Sequence, residues 1–166
     1  MSFMKLILVA MFLFSVSLAI GQRKMDIDYE QYEAECMGVG NEGTQLIKVW
    51  SYALNANEAI QRAKKNAVHA ALFRGFPAGQ AGCATLPLIQ DSEAAAKHKN
   101  FFDEFFTAEG SYLRYVSMSG DGAILPQDRI KVGRKYKIGV VVVVAHGELR
   151  RELEREKIIR GLSTGF

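Results

Sequence analysis

The chain of 166 residues is short of most features that mark a specialised scaffold. It has 2 cysteines, too few for a disulfide-dense mini-protein, and Cys36 and Cys83 are too far apart for a Cys-x-x-Cys zinc or redox motif. With 3 prolines and no repeat, collagen-like and proline-rich chains are excluded. The 3 histidines, His69, His98 and His146, stand at no metal-ligating spacing, and His-Glu-x-x-His is absent. Neither sign of charge dominates. Lys and Arg number 21, Asp and Glu 18, and a net +3 is too weak to argue for nucleic acid. What is present is ordinary: 49% hydrophobic and 23% charged residues, enough to build a core and against wholesale disorder.

Long apolar runs are also scarce, with one exception at the start. Lys5 precedes an almost purely apolar stretch over 6–14, which tapers to Ala19-Ile20-Gly21. Small residues at Ala19 and Gly21 suit signal peptidase, so residues 1–21 read as a secretory signal peptide cleaved after Gly21. A retained anchor is the alternative, but the apolar run falls short of the ~20 residues that span a bilayer. The first cysteine after the run is Cys36, so a lipid-modified N-terminus is not expected. Cleavage removes Lys5 and leaves 20 basic against 18 acidic residues. The expected location is periplasmic or secreted, with membrane contact at most peripheral. In an oxidising compartment Cys36 and Cys83 could pair. Such a bridge would close a loop of about 48 residues and contribute about 4 kcal/mol. A single pair carries no geometry, so a bridge and two separate thiols both stay open.

After a polar leader over 22–30, residues 31–166 read as a single domain. Residues 32–39 and 44–53 are rich in β-formers and flank a Gly-Asn-Glu-Gly turn, which predicts an antiparallel hairpin. Asn55 and Glu58 form a capping box ahead of a helix over 56–73. Its alanines at three- and four-residue steps make a small stripe that can lie close on a sheet. Residues 76–88, rich in Gly, Ala and Pro, read as a long loop. A second helix is expected from Asp91 or Ser92 to 107, with Phe101, Phe102, Phe105 and Phe106 as its core stripe and Asp103 and Glu104 on its wet side. Strands follow over 111–118, 129–132 and 136–145, and a helix over 148–160. The run Val140 to Val144 asks for a strand covered on both faces or paired centrally. The order predicts an α+β fold: a two-layer sandwich with one antiparallel or mixed sheet of four to five strands and two to three helices on its face.

Motifs with chemistry are few. Gly38-Val39-Gly40-Asn41-Glu42-Gly43 matches Gly-x-Gly-x-x-Gly, but a dinucleotide site needs those glycines to open a helix. Here they lead into a strand, so a hairpin turn requiring positive φ is the better reading. Ser119 has no strand-to-helix elbow, and Asp121-Gly122 is turn chemistry. No catalytic constellation, metal site or cofactor site emerges. Arg62, Lys64, Lys65 and Arg74 form a basic helix face. Together with Phe76 they are the candidate interaction surface, against the alternative of a solvated face.

The Gly38-Val39-Gly40 turn, the strand after it and the alanine-stepped helix over 55–73 resemble the small α/β domain of bacterial envelope surface lipoproteins and the N-terminal domain of flagellar assembly protein T. The resemblance covers roughly residues 32–75. It lacks the lipidation cysteine, and the loop around Cys83 has no counterpart in it. It implies a non-enzymatic envelope domain that docks on other proteins. The expectation is therefore an exported, non-catalytic protein with a protein partner. The alternatives are a periplasmic ligand-binding module, with its ligand between sheet and second helix under the 76–88 loop, and a hydrolase using scattered carboxylates or His146.

Overall fold

The computed structural model describes residues 32–76, 82–83 and 86–161. The expected signal peptide and polar leader, and Pro77 at the end of the first helix, lie outside the described residues.

The hairpin forms as its sequence demands. Strand β1 (Tyr32–Val39) pairs antiparallel with β2 (Gln45–Ala53) through a 3-10 turn at Asn41–Gly43. Gly43 takes φ 73°, and even Glu42 is driven to 56°. The Gly-x-Gly-x-x-Gly match is therefore turn chemistry, and the first helix starts only at Ala56. Register shifts between Cys36 and Gly38, which bulges Met37 out of the β1 edge.

Helix α1 (Ala56–His69) is capped at Asn55, whose side chain accepts from the Glu58 amide at 3.0 Å. The Glu58 carboxylate accepts in return from the Leu54 amide at 2.7 Å, one residue outside the usual box. Ala59, Ala63 and Ala67 are fully buried, and their small side chains let the helix press on the sheet. The predicted helix to residue 73 divides: α-geometry ends at His69, and a π-turn runs over Ala70–Arg74. Gly75, at φ 71°, ends it.

The second helix is not continuous. It breaks into α2 (Ala94–Lys97) and α3 (Lys99–Phe105) at His98, whose φ −110° and ψ 30° leave helical geometry. The break lets Ala94 and the phenylalanines Phe102, Phe105 and Phe106 all reach the core. Asp103 and Glu104 stay on the wet side. The strand expected over 111–118 is mostly a 3-10 segment, Ser111–Tyr115, and only Val116–Met118 is strand β3. Tyr112 and Tyr115 are the reason: both are buried, and a spacing of three suits a 3-10 turn, not a pleat.

Strand β4 (Arg129–Val132) and β5 (Lys135–Val144) form a second hairpin across Gly133-Arg134, with Gly133 at φ 60°. All pairings are antiparallel, and the order is β1-β2-β5-β3 with β4 also on β5. The sheet therefore has five strands. Strand β5 is central: β2 covers one edge along its length, and β3 and β4 share the other. That placement satisfies the valine run without a second helical layer. Val140, Val142 and Val144 are buried, while Val141 and Val143 are only half-buried.

Helix α4 (His146–Arg155) buries Leu149 and Leu153. It stops before the expected residue 160 because Lys157 adopts φ 57°. The amides of Ile158 and Ile159 then return to the Leu153 carbonyl, and both isoleucines pack back on the core. The result is an α+β fold with helices on one face of an open antiparallel sheet.

Candidate functional site

Three places gather chemistry or bare surface. The first is the corner where β1 ends. Cys36, fully buried, is joined to Cys83 by a disulfide with a Cα–Cα distance of 6.2 Å. The bridge pins the loop after α1 to the edge strand, and Gly82 lies against the Val39 side chain. The loop returns through the amides of Leu88 and Ile89, which donate to the Ala71 and Leu72 carbonyls at 2.9 Å. Met37 and Val39, on either side of Gly38 in β1, are exposed, and so is Leu86, three residues after Cys83, to 68%.

The second place is beneath the end of α1. The Tyr32 hydroxyl and His69 Nδ1 are 2.8 Å apart. The Arg74 guanidinium lies 4.7 Å from the centre of the Tyr32 ring. The Lys65 ammonium is buried, donates to the Phe106 carbonyl and faces the Phe106 ring. Burial pushes Lys65 down to about 8. Burial, then the positive charges of Arg74 and Lys65, push His69 down to about 4, so its imidazole is neutral near pH 7. Burial raises the Tyr32 phenol above its ordinary range. A neutral imidazole hydrogen-bonded to a protonated phenol inside a ring of phenylalanines is a structural joint between β1 and α1.

This arrangement corrects the expected interaction surface. Lys65 and Phe76 are buried, Phe76 to within 1%: Lys65 reaches the Phe106 carbonyl, and Phe76, just past the helix end, joins the hydrophobic core. Arg62 is half-buried and donates to the Tyr52 carbonyl at 2.9 Å while pairing with Glu58 at 2.7 Å. Lys64 is half-buried and Arg74 exposed. Burial takes Lys65 and Phe76 out of any exposed surface, which leaves Arg62, Lys64 and Arg74.

The third place is the sheet surface opposite the helices, which sequence reasoning missed. The Trp50 indole lies over Gly139, where an added Cβ would come within 3.1 Å of the ring. Lys48 crosses the same gap to reach Asp128 at 2.6 Å, and its ammonium is 4.8 Å from the Trp50 ring centre. The Lys137 ammonium also lies near Trp50, 5.6 Å from its ring centre, and pairs with Glu33 at 2.8 Å. Glycine at 139 is what admits this stack. The pairing partners lie 80 and 104 residues apart, so no local pattern announces them. A signal for the neighbouring hairpin was nonetheless visible: residues 129–137 hold five cations and no carboxylate.

A cleft of about 500 Å³ lies between the first turn of α1 and the segment before β4, lined by Ile60, Ile124, Leu125, Pro126 and Arg129. It is at the opposite end of α1 from the Cys83 loop. Among the described residues no group of three His, Cys, Asp or Glu side chains converges to hold a metal. His146 keeps a buried Nε2 with no hydrogen-bond partner, and burial followed by Arg150 lowers its pKa. Among the described residues no helix is long and apolar enough to cross a membrane.

Comparison with protein-family models, with curated proteins and with solved structures finds no match to this chain.

Proposed function

We propose that this is an exported cell-envelope protein that acts without catalysis, by docking a protein partner at the Cys36–Cys83 corner. The observation that carries the reading is the disulfide, which fits an oxidising compartment and ties Cys83 to a strand that bares Met37 and Val39. Single exposed apolar residues are commonplace, but Met37 and Val39 stand bared on the strand that the disulfide staples, and Leu86 is bared three residues from its other end. Preorganisation of that kind lowers the ordering cost of binding. The resemblance to envelope docking domains, over residues 32–75, points the same way. The test is photocrosslinking of the exported protein from Val39 and from Leu86, with exposed Gln61 on α1 as the control position. One envelope protein captured from both corner positions and not from Gln61 is expected. Equal background from all three contradicts the reading.

A ligand-binding module is the second reading. The cleft beside Ile60 and Arg129 supports it, with apolar walls, one guanidinium and a volume within the usual range for small ligands. Filling the cleft with Ile60→Trp should then abolish ligand-induced thermal stabilisation. Unchanged stabilisation would exclude this cleft as the ligand site.

A further inference from the structure

We infer that the β4–β5 hairpin is a contact surface for anionic membrane lipid. Residues 129–137 read Arg-Ile-Lys-Val-Gly-Arg-Lys-Tyr-Lys, so nine positions hold five positive charges. The chain's whole surplus is +3, which leaves the rest of the molecule slightly negative. The fold neutralises only part of this concentration. Lys137 is spent on Glu33, and Arg129 stacks 4.4 Å from the centre of the Tyr136 ring. Lys131, Arg134 and Lys135 make no ion pair among the described residues.

Apolar side chains stand among those charges. Every residue of β4 is exposed, Ile130 to 50% and Val132 to 45%. Ile130 is paired with Lys137 and Val132 with Lys135, and directly opposed residues share a face. That face carries Ile130, Val132, Lys135 and the Glu33-bound Lys137, while Lys131 and Arg129 stand on the other face of the same narrow hairpin, opposite Tyr136 and Ile138. Leu54, exposed to 60%, follows Ala53 at the same end of the sheet, since Ala53 pairs with Tyr136.

Charge on an edge strand also guards against strand pairing, but that role gives no reason to bare Ile130 and Val132 beside it. An acidic protein would satisfy the cations. It would need far more area than a four-residue strand and its turn present to make a stable interface. A lipid surface needs less. Phosphate headgroups meet the cations while the short apolar side chains dip below them, and a layer of lipids supplies many headgroups at once. The inference goes beyond the protein-docking corner, which lies at the other end of β2, and either can fail without the other.

The test is co-sedimentation of the full exported chain with phosphatidylcholine vesicles, and with the same lipid containing one part in three phosphatidylglycerol. Binding is expected only to the anionic vesicles, weakening as salt shortens the screening length. The triple variant Lys131→Gln, Arg134→Gln, Lys135→Gln should lose roughly 100-fold in affinity, on the order of fivefold for each cation removed. Ile130→Ser with Val132→Ser should lose on the order of tenfold while keeping the salt dependence. All these residues are exposed, and circular dichroism is the check that the variants are folded. Equal binding to both vesicle types, or unchanged binding by the triple variant, overturns the inference. So does soluble polyglutamate that binds wild type and the Ile130→Ser, Val132→Ser variant alike, because that result assigns the hairpin to an acidic protein.

Discussion

The two faces of the sheet use opposite chemistry on the same strands. Toward the helices, Ile47, Val49, Val140 and Val142 are completely buried against an alanine-striped helix. On the other face Lys48 and Lys137 stretch across a single indole to carboxylates on distant segments. The first face is held by non-directional burial, which tolerates some repacking but not lost volume. The second is held by long side chains in fixed directions, each pair partly open to water and worth correspondingly less. Alternation within β2 and β5 places both chemistries in one strand, so adjacent substitutions should report different physics.

The largest effect is expected on the covered face. Ile47→Ala should cost about 4 kcal/mol in chemical denaturation, near the upper part of the range for emptying a fully buried site. A loss no larger than that of an open-face change would erase the distinction. The next effect belongs to the joint between β1 and α1. His69 is held at about 4 in the fold against an ordinary 6.5, so only the unfolded chain gains its proton between those values. Stability is therefore full above pH 6.5 and falls as pH drops toward 4, by up to about 3 kcal/mol. His146 shifts in the same direction and adds to the slope. Denaturation midpoints against pH in wild type and His69→Gln isolate the share of His69, and an unchanged slope in the variant would contradict it.

Open-face changes should be smaller. Asp128→Ala leaves the Lys48 ammonium half-buried without its carboxylate and should cost about 2 kcal/mol. Gly139→Ala puts a methyl group within 3.1 Å of the Trp50 ring and should cost about 1 kcal/mol as the ring slides aside. Trp50 is the chain's single tryptophan, so its emission reads this face alone. Both variants should shift that emission, whereas Ile47→Ala, on the opposite face, should leave it near its wild-type position before unfolding. Lys137→Ala removes a pair whose carboxylate is mostly exposed and should cost less than about 1 kcal/mol.

The covered face was legible in the sequence for a physical reason. Burial imposes period two on β2, and helix α1 repeats its alanines at three and four, so both patterns are local. The Asn55 cap, the Gly43 turn and the β4 bounds were readable on the same grounds. The bends were harder. A 3-10 segment at Tyr112 and Tyr115, the break at His98 and the left-handed Lys157 each answer to where an aromatic or aliphatic side chain finds the core, which is tertiary information. Lys65 misled for the same reason: helical spacing put it on a basic face, while the packing of Phe106 drew it inside. The open face was hidden because Gly139 resembles an incidental glycine until Trp50 is seen above it.

Intact mass and thiol alkylation on the protein recovered from outside the cytoplasm, without reduction, read the export and the bridge together. A chain that begins at Gln22 and offers no alkylatable thiol is expected, because Cys36 and Cys83 are bonded. A chain that keeps Met1 and carries alkyl groups on both cysteines would contradict both.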